Sequence, residues 1–200
     1  MWCFNRLRDN ANIETEELIW HGPFSWPCFE INNELKPIPN IKGVYLFSFD
    51  FKEGYLLYAA GITNSTKRRI STHTREFRKG HYNVLDINSV KNGERKEIWH
   101  GWQYAKSHPD EFIQNKETIL KAVDNQLQSF RIFIAEISDT RKSERIEAAI
   151  MQNIYTSQEH WSELADRGMF LKGRYNSEIP IKIKNLSSGK IYGLPVILEI

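Results

Sequence analysis

Short hydrophobic runs rich in β-branched and aromatic residues dominate the middle of the chain. Two of them, residues 43–49 and 55–62, lie close together with a polar, glycine-containing break between them, and they predict a β-hairpin. Residues 130–137 alternate between apolar and polar positions, which predicts another strand. The last stretch, residues 179–200, predicts a pair of strands around a turn at 187–189.

Three further segments carry helical signals. Ser65 is suited to cap a helix that Gly80 ends in the C′ position. Residues 110–127 have a helical pattern, and residues 140–155 place isoleucines and alanines at helical spacing, with the N-cap at Asp139 or at the residue after it. The second half of the chain is therefore expected to alternate helices with strands.

The order of these elements predicts an α+β fold with a small central antiparallel β-sheet flanked by helices. Residues 1–40 mix aromatic residues with prolines, so we expect an irregular N-terminal extension packed on the core. The core is expected to span residues 41–156, and residues 157–200 form a C-terminal extension. Together the three segments are expected to form one compact domain.

Composition indicates an ordinary globular protein. The chain has 200 residues, of which 40% are hydrophobic and 26% charged, and this excludes a disordered chain. No apolar run is long enough to span a membrane, and the first residues lack a signal-peptide core, so we expect a cytoplasmic protein that does not contact membranes. Cys3 and Cys28 have neither a zinc-ligand spacing nor the density of a disulfide scaffold, and we expect reduced thiols.

Charge is unevenly distributed although the formal net charge is only +2. Residues 1–40 are mainly acidic, residues 65–79 are strongly basic, and a looser basic stretch follows at 172–190. Two basic regions on a nearly neutral protein indicate a polarised face that attracts phosphates. The alternative is that both are simply solvated surfaces.

Four sequence features then follow one another in a recognisable order. They are Gly43-Val44-Tyr45 at the start of the first strand, Tyr58-Ala59-Ala60-Gly61 at the end of the second, Arg69 and His73 on the basic helix, and Glu147 on a late helix. Arg69 follows Gly61 by eight residues and His73 lies four residues further on. This order resembles the GIY-YIG nuclease family, found in homing, repair and restriction endonucleases, over residues 41–155.

The resemblance implies a divalent-metal-dependent endonuclease that hydrolyses DNA phosphodiester bonds with one Mg²⁺ or Mn²⁺ ion and a tyrosine-assisted water. The catalytic residues would be Tyr45, Tyr58, Arg69, His73, Glu147 and Asn176, with Glu147 as the metal ligand. Tyr45 would act beside the attacking water as proton acceptor or relay. Asn176 would be the family's late supporting asparagine, although it stands further from Glu147 than usual.

The residue types suit this chemistry. Phosphodiester hydrolysis needs a positioned water, a proton acceptor and positive charge near the phosphoryl oxygens. The Arg69 guanidinium can bind two phosphate oxygens, and His73, four residues on, projects from the same helix face. Glu147 is a hard oxygen ligand of the kind that Mg²⁺ uses while keeping most of its waters, and a single carboxylate implies one metal ion. Glu144, one turn earlier, is a competing ligand.

One position departs from the family pattern. The second tyrosine normally stands two residues before the motif glycine, where this chain has Ala59, and Tyr58 is one residue further back. In a regular strand this slip turns the phenol to the opposite face. A β-bulge at Ala59 and Ala60 would return Tyr58 to the catalytic face, or Tyr55 would reach the site instead. If neither holds, the protein is a non-catalytic or weakly active nucleic-acid-binding module that keeps the fold.

The basic helix also supplies candidate DNA contacts. Five of its side chains are expected to bind backbone phosphates without reading bases: Lys67, Arg68, Arg75, Arg78 and Lys79. Trp99, Trp102 and Tyr104 are suited either to stacking on unpaired bases or to core packing. Cutting both strands with one site per chain also leads us to expect a homodimer on DNA.

Two rival interpretations are weaker. Asp86 with Glu94 and Lys96 forms an ExK-like element of a different metal-dependent nuclease fold, but no second strongly apolar strand brackets it. An enzyme acting on small molecules would need a glycine-rich phosphate loop, a nucleophile elbow or a zinc motif, and the sequence contains none of these.

Overall fold

A mixed eight-stranded β-sheet with helices on both faces forms the body of the protein in this computed structural model, which describes residues 13–200. The strands are β1 (Thr15–Ser25), β2 (Lys36–Pro37), β3 (Gly43–Phe51), β4 (Gly54–Thr63), β5 (Val84–Leu85), β6 (Glu97–Trp99), β7 (Phe130–Glu136), β8 (Lys182–Ser187), β9 (Ile191–Tyr192) and β10 (Ile197–Glu199). The helices are α1 (Glu30–Asn33), α2 (Thr66–Arg78), α3 (Ile87–Val90), α4 (Trp102–Ser107), α5 (Pro109–Gln114), α6 (Lys116–Ser129) and α7 (Thr140–Tyr155), followed by a 3₁₀ helix at His160–Leu164.

The sheet runs in the order β10-β8-β1-β7-β3-β4-β9, with β2 paired to β1. Its centre, β7-β3-β4, is antiparallel. The pairs β1 with β8, β1 with β2 and β4 with β9 are parallel. Strands β5 and β6 form a separate two-stranded antiparallel sheet.

The prediction of a small central antiparallel sheet is wrong. Residues 13–40 and 179–200, which we expected to decorate the core, contribute five strands to the main sheet and introduce all three of its parallel pairs. The prolines and aromatic residues near the N-terminus conceal β1, an eleven-residue strand whose exposure alternates over its first part. Its pairing with β8 joins residues more than 160 positions apart, which local sequence patterns do not report.

Most of the predicted elements of the centre are confirmed. The hairpin is β3 and β4, the strand at 130–137 is β7, and α7 begins after an Asp139 N-cap whose side chain accepts from the Lys142 N–H. The helix predicted at 110–127 is interrupted at Asn115 and becomes α5 and α6. The two C-terminal strands that flank the turn at 187–189, β8 and β9, do not pair with each other as expected. Strand β8 pairs with β10 at one edge of the sheet, and β9 pairs with β4 at the other edge.

Two hydrophobic layers cover the two faces of the sheet. On one face, Phe47 and Phe49 of β3 pack with residues of α2 and α6 such as Phe77 and Leu127. On the other, the intervening residues of β3 and β4 pack with the apolar stripe of α7, including Ile150. Successive side chains of a strand point to opposite faces, so the basic helix α2 and the late helix α7 lie on opposite sides of the sheet.

The outer edge of β4 is only partly covered. Strand β9 pairs with β4 at Tyr55 and Leu56 and goes no further. Beyond it, the Tyr58 carbonyl accepts from the Asp166 N–H at 2.8 Å, and the Ala60 N–H approaches the Met151 sulfur at 3.2 Å. The last residues of β4 therefore have no neighbouring strand on this side within the described part of the chain, and groups from both faces can meet there.

Two remaining expectations concern cysteines and membranes. Cys28 is exposed and is not in a disulfide, while Cys3 lies outside the described residues. Among the helices of residues 13–200, none has both the length and the apolar character needed to cross a bilayer.

Candidate active site at the edge of the sheet

Tyr45 lies across Gly61, its direct partner on β4. A Cβ atom at position 61 would stand 2.2 Å from the Tyr45 hydroxyl oxygen and 2.3 Å from its Cζ, so only glycine leaves room for the ring. The phenol ring packs over Gly61, in the stretch of β4 that β9 does not cover, and the Tyr45 side chain is buried. The glycine of the motif thus has a steric role, which is to leave room for the Tyr45 ring.

Helix α2 brings two functional side chains to this hydroxyl. The Ser65 side chain caps the helix, and Ile70, His73 and Phe77 form its buried stripe at helical spacing. The Arg69 Nε donates to the Tyr45 hydroxyl at 3.1 Å, and the His73 Nε2 lies 2.8 Å from the same oxygen. Three predicted catalytic residues therefore form one hydrogen-bonded group.

The protonation of this group follows from its burial. Burial lowers the pKa of His73 to about 3, and the positive charge of Arg69 adds to the effect, so the imidazole is neutral at neutral pH. The Tyr45 oxygen already accepts from Arg69, and a neutral His73 with a free Nε2 lone pair can accept the hydroxyl proton. Burial also raises the pKa of Tyr45 to about 12, which keeps the phenol protonated.

Glu147 approaches from the opposite face of the sheet. It lies on α7, is half-buried, and has neither a hydrogen bond nor an ion-pair partner within residues 13–200. Burial raises its pKa to about 7, and the charge of Arg69 opposes this shift. Glu147 in turn acts on the pKa of Tyr45, so the carboxylate is within electrostatic range of both side chains.

A half-buried carboxylate without a partner loses part of its hydration, and a bound cation or a proton compensates this loss. The described residues contain no group of three or more His, Cys, Asp and Glu side chains that would enclose an ion. One such carboxylate at an open edge fits Mg²⁺ or Mn²⁺, which bind through one or two carboxylates while keeping several waters. The donor set therefore fits a single hydrated divalent ion held by Glu147.

Glu144, the competing metal ligand, is already engaged. Its carboxylate accepts from Lys172 at 2.7 Å and from Arg141 at 3.2 Å. These contacts lower its pKa, and Lys172 has the larger effect. Because two cations neutralise Glu144, Glu147 is the better ligand of the two.

Tyr58 reaches the same sheet face as Tyr45 but joins a different polar cluster. The β3–β4 register shifts so that Phe47 faces Ala59 while the next residue of β3 faces Leu57, and Tyr58 is the extra residue of a β-bulge. The bulge lies one residue before the pair Ala59–Ala60 at which we expected it. It brings Tyr58 into the hydrophobic layer that also contains Tyr45.

The surroundings of the Tyr58 hydroxyl differ from those of the Tyr45 hydroxyl. Burial raises the pKa of Tyr58 well above its usual value, and the charge of Asp166 raises it further while Arg95 opposes. Arg95 is held by Glu97 at 2.6 Å and by the Leu164 carbonyl at 2.8 Å. Tyr58 therefore belongs with Asp166 and Arg95, and it makes no hydrogen bond to Arg69 or His73.

Two other predicted positions lie away from the Tyr45 hydroxyl. Tyr55 packs edge-on against Phe133 within the layer on the α7 side, so it does not replace Tyr58. Asn176 is exposed in a turn after Arg174, in the segment that Glu178 ties to Arg141 of α7. The structure does not bring Asn176 into the hydrogen-bonded group around Tyr45.

The five predicted phosphate contacts are all exposed on α2 and its C-cap. Arg75 pairs with Glu76 at 3.0 Å and Arg78 with Asp124 at 2.6 Å. The other three have no ion pair within residues 13–200: Lys67, Arg68 and Lys79. In the second basic stretch, three side chains are paired with Glu144, Glu17 and Glu53, respectively: Lys172, Lys184 and Lys190. Helix α2 and its C-cap therefore carry three unpaired, exposed cations close together in the sequence.

The ExK-like residues do not form a comparable group. Asp86 caps α3 by accepting from the Asn88 N–H and lies 3.6 Å from Lys96, while Glu94 is exposed. The small β5–β6 sheet carries this segment. The half-buried, unpartnered carboxylate near Tyr45 is the stronger candidate for a metal site.

Sequence reasoning missed two residues near the site. Tyr82 packs on His73 with ring centroids 5.6 Å apart and contributes to the pKa of Tyr45. Asp166 has a buried Oδ1 without a hydrogen-bond partner in the described residues, and burial raises its pKa to about 6. Tyr82 lies three residues after the basic stretch 65–79, which is the only sequence signal for it, and no motif marks Asp166.

No family model, curated protein or solved structure matches this chain. The chemistry of the site therefore has to be judged from its own geometry.

The pKa of Glu147 predicts a pH-dependent stability. A carboxyl whose pKa rises from 4.5 to about 7 on folding favours the folded state below pH 4.5 and loses that advantage as the pH rises through 7. In metal-free buffer, Glu147→Gln is therefore expected to raise the free energy of unfolding at pH 8 by up to about 3 kcal/mol, and to have little effect at pH 4.5. Urea denaturation with EDTA at both pH values measures this.

Glu144→Gln is the matched control for that measurement. Since ion pairing lowers the pKa of Glu144, its carboxylate stabilises the fold above its unfolded-state pKa. Its replacement should lower stability at pH 8, which is opposite in sign to the effect at Glu147. Equal effects of the two substitutions at pH 8 would contradict the assignment of Glu147 as a half-buried, uncompensated carboxyl.

Proposed function

We propose that this protein is a divalent-metal-dependent endonuclease of GIY-YIG type that hydrolyses DNA phosphodiester bonds. The observation that supports it most directly is the hydrogen-bonded group of a phenol, a guanidinium and an imidazole, with a single unpartnered carboxylate within electrostatic range of the phenol and the guanidinium. These groups come from β3, α2 and α7, which are far apart in the sequence. Their order along the chain is also the order of the family motifs.

Each of the chain's own residues has a role in this proposal. Arg69 binds the non-bridging oxygens of the phosphate and stabilises the charge that develops on them. The Tyr45 hydroxyl acts as a hydrogen-bond relay: it donates to the neutral His73 Nε2, and its oxygen accepts from the attacking water and orients it, while the proton of the water leaves to solvent. This relay is compatible with a phenol whose pKa is about 12, because no free phenolate has to form.

Glu147 holds the Mg²⁺ or Mn²⁺ ion of the proposed enzyme. When bound, such an ion supplies Lewis-acid stabilisation of phosphoryl and leaving oxygens. The ion also compensates the carboxylate, which removes the electrostatic disadvantage of its burial.

DNA is the proposed partner, and α2 is its proposed binding surface. Lys67, Arg68 and Lys79 leave their charges free for backbone phosphates, so binding should weaken steeply with salt. We further propose that the protein acts in the cytoplasm and that two copies bind one duplex to cut both strands. Sedimentation of the DNA complex as a 1:1 species would contradict the dimer.

Incubation of the purified protein with supercoiled and linear DNA tests this function. Cleavage is expected with Mg²⁺ or Mn²⁺ and not with EDTA. Arg69→Lys is expected to slow cleavage about tenfold, since lysine keeps the charge but loses bidentate binding and the Nε–H donated to Tyr45. Arg131→Lys, at an arginine that pairs with Asp50 outside α2, is the control and should cleave at the wild-type rate. Equal rates for the two variants would remove Arg69 from the mechanism.

A non-catalytic nucleic-acid-binding module is the second candidate function. It is favoured by Tyr58, whose hydroxyl belongs to the Asp166 cluster rather than to the group around Tyr45. Salt-sensitive DNA binding by the wild-type protein, without cleavage under any divalent ion, would favour this module over the enzyme.

A further inference from the structure

A continuous series of rings connects the site to the protein surface. His73 lies against Tyr45, Tyr82 packs on His73 with centroids 5.6 Å apart, and Trp102 packs on Tyr82 at 5.3 Å with a 39° angle between the rings. Exposure increases along this series, from buried His73 to Trp102, which is 44% exposed. Only the Tyr82 ring thus separates the indole of Trp102 from the His73 imidazole that contacts Tyr45.

The backbone holds Trp102 in an unfavourable conformation. Its φ is +52°, in the left-handed region that bulky residues rarely adopt. The Trp102 N–H donates to the His81 carbonyl at 2.8 Å, and the preceding Gly101 N–H donates to the buried Asn83 Oδ1 at 2.7 Å. Such strain persists only where the surroundings enforce it, and it concentrates at functional positions.

Gly101 brings this segment into close contact with the residues after α2. A Cβ at position 101 would lie 2.4 Å from the Tyr82 carbonyl carbon and 2.6 Å from the His81 oxygen. The two backbone segments are therefore pressed together, and the indole is fixed next to Tyr82. Trp99, by contrast, is buried and donates to the Gly80 carbonyl, so it stabilises the loop from within.

The charge around the series favours a nucleic acid over an apolar partner. Burial raises the pKa of Tyr82, and charges of both signs act on it: Arg69 and Arg75 lower the pKa, whereas Glu76 and Asp166 raise it. Glu76 is paired with Arg75 and His81, so Arg69, which has no ion pair within residues 13–200, is the cation left for a partner. A partner at Trp102 therefore has to combine a flat apolar surface with nearby negative charge. An unpaired nucleobase attached to its phosphate meets both requirements.

We propose that Trp102, supported by Tyr82, stacks on an unpaired nucleobase next to the scissile phosphate, so that the enzyme acts on DNA with single-stranded character at the cut. This inference deepens the proposed endonuclease function and rests on it for the position of the phosphate. The bases of an intact duplex are stacked on one another and have no free face for the indole. The substrate class is therefore a flap, fork or single strand.

Binding by cleavage-deficient protein separates this inference from catalysis. In the Glu147→Gln background, fluorescence anisotropy with a fluorescein-labelled single-stranded oligonucleotide and with the blunt duplex of the same sequence gives both affinities. Trp102→Ala is expected to weaken single-strand binding about tenfold and to leave duplex binding unchanged. Trp102→Phe should retain most of the affinity. Phe170→Ala, an exposed aromatic residue outside this series, is the matched control and should bind as the parent does.

A third variant distinguishes stacking from a folding effect. Trp102→Gly relieves the positive φ, so it should unfold at a higher temperature than Trp102→Ala and yet lose the same single-strand affinity. Equal losses on single strand and duplex, no loss, or losses that follow the unfolding temperature would overturn the inference. Selective loss in a protein whose wild type cuts no DNA would support the stacking site and reject the hydrolytic function. If the wild type cleaves DNA and the Trp102 variants cleave it at the same rate, the hydrolytic function is supported and the stacking site is rejected.

Discussion

Replacing Glu147 by glutamine is expected to reduce Mg²⁺-dependent DNA cleavage by about 10³-fold or more. Glutamine preserves the size of the side chain but loses its charge, and the stabilisation that a bound ion gives to phosphoryl transfer amounts to several kcal/mol. Initial rates of cleavage of supercoiled DNA, measured over a range of Mg²⁺ and Mn²⁺ concentrations, give the size of the effect. Binding of DNA should be equal to that of the wild type or tighter, because a half-buried negative charge has been removed.

Glu144→Gln is the matched control for this experiment. It lies one turn earlier on α7, and its carboxylate is occupied by Lys172 and Arg141. Its replacement should change the cleavage rate less than about threefold. If Glu144→Gln abolished cleavage and Glu147→Gln did not, the metal ligand would have been assigned to the wrong residue.

Replacing Gly61 by alanine is expected to lower the cleavage rate by about 10²-fold and the free energy of unfolding by about 1–3 kcal/mol. The added methyl group would occupy the position of the Tyr45 hydroxyl and Cζ. Tyr45 is buried and contacts Phe47, with ring centroids 4.8 Å apart, so the ring cannot move away without disturbing the core. The hydrogen bonds to Arg69 and His73 would be lost together.

Gly173→Ala controls for the general effect of a methyl group on a glycine. A Cβ at position 173 would have no neighbour within 4 Å, and its φ is not in the positive range. Cleavage assays and thermal denaturation of both variants separate the two cases. Wild-type cleavage by Gly61→Ala would mean that the position of the Tyr45 hydroxyl is unimportant for the reaction.

Local sequence signals predicted the elements that carry the candidate site. The cap and stripe of α2, the β3–β4 hairpin and the start of α7 each depend on residues within a few positions of one another. The pairing of Tyr45 with Arg69 and His73 then follows from hairpin and helix geometry. These parts of the fold can be predicted from the sequence because the short-range preferences of their residues agree with the tertiary packing.

The rest depends on contacts between distant segments. The partnership of β1 with β8, which makes the sheet large and mixed, has no local signature, and neither does the docking of Asp166 on the Tyr58 carbonyl. The sequence predicts a bulge at Ala59 and Ala60, and the structure has it one residue earlier, at Tyr58. No sequence signal indicates the polar cluster that Tyr58 joins, because Arg95 and Asp166 come from separate segments. Trp102 gave no indication from sequence that its backbone would be strained.

The short pairing between β9 and β4 limits where residues can be added to this sheet without loss of the candidate site. Tyr45 and Glu147 belong to elements on opposite faces of the sheet, and the charge of Glu147 reaches the phenol near the stretch of β4 that has no outer strand within residues 13–200. Extending β9 by a few residues would seal that gap and separate phenol from carboxylate without altering either one. A peptide that pairs with the free edge at Gly61 and Ile62 would have the same effect, and in the proposed enzyme it would inhibit cleavage without contacting Glu147.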